Sequence, residues 1–409
     1  MTRPNSMTSC APTGCRCDPV ARVSDGPGHR PTASDRNAPD PADSTVPDQG
    51  SDAVPDGLLG LATALVGIPS VSHHEGAMAD AVQAALGLCP WLTVDRVGDN
   101  VVARTDLGRS RRVLLAGHLD TVPSSGGNQE PRVEGSTLYG LGAADMKGGL
   151  AVFLHLAGSL SAPAVDVTWC FYAGEEVARE HNGLLQLWAE RPGLLAADAA
   201  VLGEPTGGLV EAGCQGTLRL RVTLSGLRAH TARPHTGRNA IHRLAGLIGA
   251  VSDFEVRRPV IDGCEYAEQL QVVSVEGGVA GNVVPDRATV VVDHRFAPDR
   301  TIAQAESSVR ELLAQYIEPG DFWELMEAAP GAPPSLDHPL LAALVAATGS
   351  PARAKVGWTD VAFFAERGVP AVNFGPGDPL LAHTPGECVS TAELGQVAEV
   401  LDALLRTGG

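Results

Sequence analysis

The chain predicts an α/β fold, a mostly parallel sheet covered by helices, interrupted by a smaller α+β segment. Three observations carry this reading. Continuous apolar runs at Val113–Ala116, Val167–Tyr172 and Ala199–Leu202 read as strands buried on both faces. They alternate with stretches of helical spacing at Leu58–Val66, Ala77–Leu88 and Met146–Leu160. The pattern then changes: Leu218, Leu220, Val222 and Leu224 alternate with Arg219, Arg221 and Thr223, as in a strand with one wet face.

Taken in order, residues 1–55 are rich in Pro, Asp, Ser, Thr and Gly and nearly devoid of aliphatic periodicity. Such a stretch buries too little apolar surface to offset its ordering entropy, so a disordered extension is expected. Folding starts near Asp56. After the first wet-faced strand come a helix over Asn239–Val251, strands at Leu270–Val275 and Ala288–Phe296, and a helix over Ile302–Tyr316. This β-α-β-β-α order reads as a ferredoxin-like domain over 213–322, inserted into a larger domain made of 56–212 and 323–409. From Pro339 the helix–strand alternation resumes, with Ala371–Phe374 as the last strand.

At 409 residues the chain suffices for two domains. A net charge of −18 argues against a nucleic-acid binder, while an anionic small molecule would need only a few local arginines. The first thirty residues lack an apolar signal core, and no run approaches the roughly 18–20 apolar residues that cross a bilayer. A cytoplasmic protein without disulfides is expected for the eight cysteines. Cys10, Cys15 and Cys17 lack a fourth ligand at finger-like spacing.

Chemistry gathers where strands end. Gly117-His118-Leu119-Asp120 and Gly174-Glu175-Glu176 each close an apolar run, Glu204 follows a third, Asp145 precedes a helix, and His383 comes near the C-terminus. In open α/β sheets functional groups collect at the carboxyl ends of strands. Imidazole nitrogen and carboxylate oxygen are zinc donors, and two ions need a bridging carboxylate, for which Asp145 is the natural candidate. Singly, each feature has a plainer reading: a stray His-x-Asp, a solvated Glu pair, an N-cap aspartate. Gly117, Gly174 and Gly203 stand just before the ligand candidates, where the chain is expected to turn sharply, and they favour the site reading.

These motifs, with Gly140-Leu141-Gly142-Ala143-Ala144-Asp145-Met146-Lys147-Gly148-Gly149 and Gly203-Glu204-Pro205-Thr206, resemble the dizinc aminoacylase/carboxypeptidase superfamily over about residues 57–405. The resemblance implies a dizinc catalytic domain and an inserted dimerisation or lid domain, hence a homodimer. It implies one zinc on His118, Asp145 and Glu204, and another on Asp145, Glu176 and His383; carboxylate-rich sites tolerate several ions, so cobalt or manganese can replace one or both. It makes Asp120 the partner of the other His118 nitrogen and Glu175 the general base. His230 becomes an oxyanion donor reaching a neighbouring subunit's site, and the Asp145–Met146 peptide cis.

Within the superfamily, Gly213-Cys214-Gln215-Gly216-Thr217, the run Gly277 to Pro285, His294-Arg295-Phe296 and Gly357-Trp358-Thr359-Asp360 resemble the actinobacterial succinyl-diaminopimelate desuccinylases. That implies hydrolysis of N-succinyl-LL-2,6-diaminopimelate, with Thr217, Asn282, Arg295 and Thr359 touching the substrate. Arg295 suits a carboxylate because a guanidinium fork pairs with it bidentately. One departure stands out: Cys214 and Gln215 replace arginines of other branches, so either another residue such as Arg219 or Arg233 compensates or the substrate differs. An acetylornithine-type deacylase or a glutamate carboxypeptidase is the alternative, and a non-catalytic binding protein a more distant one.

Overall fold

The computed structural model describes residues 57–409. The extension expected over 1–55, with Cys10, Cys15 and Cys17, lies outside the described residues. Among these, no helix is long and apolar enough to cross a membrane.

The large sheet runs in the order Thr93–Val97, Asn100–Arg104, Asp166–Tyr172, Arg112–His118, Ala199–Leu202, Ala371–Asn373, Glu211–Ala212, Arg353–Ala354. Its centre, from Asp166–Tyr172 to Ala371–Asn373, is parallel. Its flanks are largely antiparallel, so the sheet is mixed. The antiparallel parts escape the sequence because they are short, with two to five residues per strand. In the central strands side chains alternate between two buried faces, which explains their continuous apolarity. Leu115, Trp169 and Val201 join one cluster with Leu150 and Leu401. Leu114, Cys170 and Leu202 join another with Leu184 and Phe363.

The second sheet is antiparallel, in the order Gln269–Gly277, Arg287–Phe296, Gly216–Ser225, Phe322–Ala329. Helices Ala240–Ser252 and Ile302–Leu313 cover one face around Leu220, Val222, Val290, Leu244 and Val309. Its fourth strand lies beyond the expected limit at 322, and a register shift between Leu325 and Glu327 breaks the alternation that would have marked it. The last strand of the chain is Cys388–Ser390 rather than Ala371–Phe374, in a small sheet with Arg132–Glu134 and Thr137–Tyr139. Three-residue strands carry no readable period.

Two local expectations are corrected. The helix expected from Met146 begins at Gly148, because Ala143–Lys147 forms a π-type turn with Asp145 and Met146 outside helical φ/ψ and the Asp145–Met146 peptide cis. Of the three strand-end glycines, only Gly174 has left-handed backbone (φ 71°). Gly117 and Gly203 serve close packing instead: a Cβ on Gly117 would lie 2.6 Å from Met146 and Leu150, and one on Gly203 would lie 2.7 Å from Met146.

A close contact that bears on the site joins helix Gly148–Ser159 to the strand end at Gly203, where a Cβ on Gly149 would sit 2.3 Å from the Gly203 carbonyl oxygen. Neither partner there is a flexible side chain. Gly149→Ala is expected to cost about 1–3 kcal/mol through overpacking, read as a lowered Tm. An unchanged Tm would contradict this close approach.

Candidate metal centre

Parallel strands deliver their following loops to one edge, and the expected donors gather there. His118 ends its strand, Glu175 and Glu176 follow Asp166–Tyr172, Glu204 follows Ala199–Leu202, Asp145 sits in the π-type turn, and His383 precedes Cys388–Ser390. His118 is almost fully buried at 1% exposure, whereas the His383 side chain is 48% exposed, so the cluster has a closed end and an open one.

Nδ1 of His118 lies 3.0 Å from the main-chain oxygen of Asp120, which can only accept, so Nδ1 keeps a proton and Nε2 is the nitrogen left for a metal once its own proton leaves. Nε2 stands 3.1 Å from Asp145 Oδ1. The other oxygen of Asp145, Oδ2, stands 3.4 Å from His383 Nε2, which is 2.8 Å from Glu176 Oε1. Asp145 thus turns one oxygen to each imidazole. Donor atoms of His118, Asp145 and Glu204 lie within 4.8 Å of one another, as do those of Asp145, Glu176 and His383. An ion with tetrahedral bonds of about 2.0–2.1 Å keeps its donors about 3.3 Å apart, close to these separations. Glu204 Oε1 is enclosed and has no hydrogen-bond partner among the described residues, a costly state for a buried carboxylate that a cation relieves.

The charges tell the same story. Burial and the neighbouring Asp145 push the Glu204 carboxyl up to about 7. Burial, with Glu204, Asp360 and Glu176 nearby, holds Glu175 well above the usual carboxylate range against the pull of His118. Hydrogen bonds to Asp145 and Glu176 raise His383 to about 10. Burial disfavours charge on His118, yet Asp120 and Asp145 hold its pKa well above the ordinary value. Protons sit where cations would.

Asp120 is the partner of the other His118 nitrogen, but through its main-chain oxygen rather than its carboxylate. Its carboxylate stands 3.6 Å from the His118 ring, beyond hydrogen-bond reach, because its own main-chain oxygen occupies that ring nitrogen. Instead it accepts from the backbone N–H groups of Glu175 and Glu176, each at 3.0 Å. Glu387, which sequence reasoning missed, acts alike: buried, it accepts from the N–H groups of Ala144 and Asp145 at 3.0 and 2.9 Å. Its only signal is its place four residues after His383. Lys355 was also missed. Its buried ammonium pairs with Glu211 at 3.0 Å and donates to the Pro205 carbonyl at 3.4 Å.

The expected substrate residues fall into three places. Thr217 and Arg295 are register partners in the second sheet, with Arg295 Nε 2.9 Å from Asp293. Asn282 and His230 share an exposed pair of loops, where Thr231 N–H donates to the Asn282 carbonyl and His230 bridges Val283. Thr359 is buried and donates to Asn373 Oδ1 at 2.9 Å. Among the described residues, none of them hydrogen-bonds to the cluster within this chain. Arg219 is engaged by Asp293 and Glu327, and Arg233 is exposed. Cys214 and Gln215 are buried parts of the crossing between sheets: Cys214 exchanges backbone bonds with Ala332, and the Gln215 amide donates to the Ala267 carbonyl. Burial pushes the Cys214 thiol up to about 11, which removes it as a nucleophile.

Two imidazole-containing triads sharing one aspartate, with a spare glutamate beside them, are the donor set of a two-metal hydrolase. The sequence pattern of peptidase family M20/M25/M40 matches residues 114–407, and the chain belongs to this family of dimetal hydrolases. A putative succinyl-diaminopimelate desuccinylase of Mycobacterium tuberculosis is 50% identical over 350 residues, covering 85% of this chain and 96% of the relative. The succinyl-diaminopimelate desuccinylase of Corynebacterium glutamicum is 44% identical over 351 residues, covering 84% and 95%. Among solved structures, an aminopeptidase from Bacillus cereus aligns with a TM-score of 0.68 at 19% identity, covering 85% of this chain and 97% of its own. A metallo-carboxypeptidase of the M20 family from Sulfolobus solfataricus gives 0.67 at 16%, covering 86% and 99%. These two share the fold.

Both imidazoles have raised pKa values without metal, so loading must displace protons. Zinc binding by the metal-free protein near pH 7 is expected to release protons, and apparent affinity to rise with pH. Calorimetry in two buffers of different ionisation enthalpy measures this. Buffer-independent heats would contradict a protonated donor set.

Proposed function

We propose that this chain hydrolyses N-succinyl-LL-2,6-diaminopimelate to succinate and LL-2,6-diaminopimelate, as a cytoplasmic dizinc enzyme of lysine and diaminopimelate biosynthesis. The names of its actinobacterial relatives supply the substrate. The observation that carries the chemistry is Asp145, which offers Oδ1 to the His118 side and Oδ2 to the His383 side. One zinc is assigned to His118, Asp145 and Glu204, the other to Asp145, Glu176 and His383. When bound, the pair supplies a water acidified toward neutrality and polarises the amide carbonyl.

Glu175 takes the proton of the attacking water. Its location beside a ligand, and the raised pKa that burial and its acidic neighbours give it, suit a base that must later release that proton to the departing amine. Asp120 and Glu387 hold the backbone of Glu175, Glu176 and Asp145 in place by accepting their amide protons. His230 is assigned to the oxyanion of a neighbouring subunit, in keeping with its exposure and its distance in hydrogen bonding from this chain's own cluster. A homodimer is consistent with the free edge of strand Gln269–Gly277, where Val273 and Val275 are exposed, beside the exposed Ile241 of helix Ala240–Ser252. Arg295 and Thr217 in the second sheet, with Asn282 and Thr359, are assigned to the substrate's carboxylates and amide.

The test compares hydrolysis of succinyl-LL-diaminopimelate, acetylornithine and folylglutamate by zinc-loaded protein and by Glu175→Gln. Turnover of the first alone is expected, with kcat lowered about 10²–10⁴-fold in the variant and zinc content unchanged. Turnover of another acyl amino acid alone would overturn the substrate assignment and leave the chemistry. Full activity in Glu175→Gln would remove Glu175 from the base role.

A further inference from the structure

We propose that Ser72 is a positioning residue for the catalytic loop, acting on Glu175 and Glu176 through the Asp120 carboxylate. The inference rests on the reading of Glu175 as base and Glu176 as ligand.

Asp120 is completely buried, and three groups donate to its carboxylate: the N–H of Glu175 at 3.0 Å, the N–H of Glu176 at 3.0 Å, and the Ser72 hydroxyl at 2.8 Å. The Glu176 amide and the Ser72 hydroxyl share one oxygen, Oδ2. An ionised carboxylate only accepts, and its oxygens turn toward whatever donors surround them. Two of the three donors belong to the loop being placed, so Ser72 is the one hydrogen-bond donor to the carboxylate that comes from outside that loop. Without it, Oδ2 loses its shortest contact, and the carboxylate is held only by the two amides it places and by His118 Nδ1 at 3.6 Å from Oδ1.

The segment that carries Ser72 is itself fastened to the ligand-bearing elements. Between helices Gly57–Val66 and Gly76–Gly87, the chain makes an isolated parallel bridge from Val71 to Thr121, just past the end of Arg112–His118. Thr121 N–H donates to the Ser70 carbonyl at 3.0 Å, and Ser72 N–H donates to the Thr121 carbonyl at 3.2 Å. Lys147, two residues after Asp145, donates its buried ammonium to the Ile68 carbonyl at 2.7 Å. His73 adopts left-handed backbone (φ 73°) and sets its ring edge-on to His181, with centroids 5.0 Å apart. His181 closes the same loop: its carbonyl oxygen lies where a Cβ on Gly174 would be, at 2.5 Å. The segment Ile68–His73 therefore touches the turn of Asp145, the strand end after His118 and the loop of Glu175–Glu176. Ser72 is its one side-chain contact with a charged group of the site.

The experiment uses Ser72→Ala and Ser72→Thr in the full chain, with two readouts. Amide hydrogen exchange of the peptide spanning 174–182 in the metal-free protein reports the loop directly and needs no substrate. It is expected to quicken in Ser72→Ala, with the strand Arg112–His118 unchanged. Turnover of succinyl-LL-diaminopimelate by the zinc-loaded protein should fall about 10–100-fold in kcat, the range for outer-sphere partners of a metal site, with KM little changed. Ser72→Thr, which keeps the hydroxyl, should recover both. Parental exchange in Ser72→Ala would overturn the proposal whatever the activity. So would quickened exchange with parental kcat. A parent chain inactive on every acyl amino acid, whose loop still loosens in Ser72→Ala, would sink the functional reading and leave the loop contact standing.

Discussion

The site depends on buried carboxylates that accept backbone amide protons. Asp120 takes the N–H groups of Glu175 and Glu176, and Glu387 those of Ala144 and Asp145. Each fixes the chain that carries a donor rather than the donor's side chain. This division follows from the charge problem: a cluster rich in carboxylates repels itself, so its loops must be held by contacts that survive without metal. Charge-assisted bonds to main-chain N–H groups do so at low entropy cost, since the backbone is already ordered by the adjoining strands.

The sheet supplies the common edge. Parallel pairing of Asp166–Tyr172, Arg112–His118 and Ala199–Leu202 sends three donor-bearing loops the same way. The helix after Asp145 lies close against those strand ends, because Gly117 and Gly203 leave room for the side chains of Met146 and Leu150, and Gly149 for the Gly203 backbone. The Met146 sulfur even accepts the His118 N–H at 3.2 Å. Helix placement and ligand placement are thus one packing problem.

Much of this was legible beforehand. The central strands announced themselves by unbroken apolarity, and the donors by their place at strand ends. His118, Asp145, Glu176, Glu204 and His383 come together as the pattern suggested. What stayed hidden has physical reasons. Short antiparallel flanks such as Glu211–Ala212 carry no period, and the strand Phe322–Ala329 is broken by its register shift. The role of Asp120 depends on which of its oxygens faces the His118 ring, a matter of main-chain geometry that a motif does not encode. Ser72 and Glu387 lie 48 and 242 residues from the groups they hold, with nothing in their neighbourhoods to announce it.

The central claim is that Asp145 is shared by two ions. Anomalous diffraction at the zinc edge from crystals of the zinc-loaded protein tests it most directly. The account predicts two peaks about 3.5–4 Å apart, each bonded to a different oxygen of Asp145. A single peak, or two ions of which one has no bond to Asp145, would contradict it.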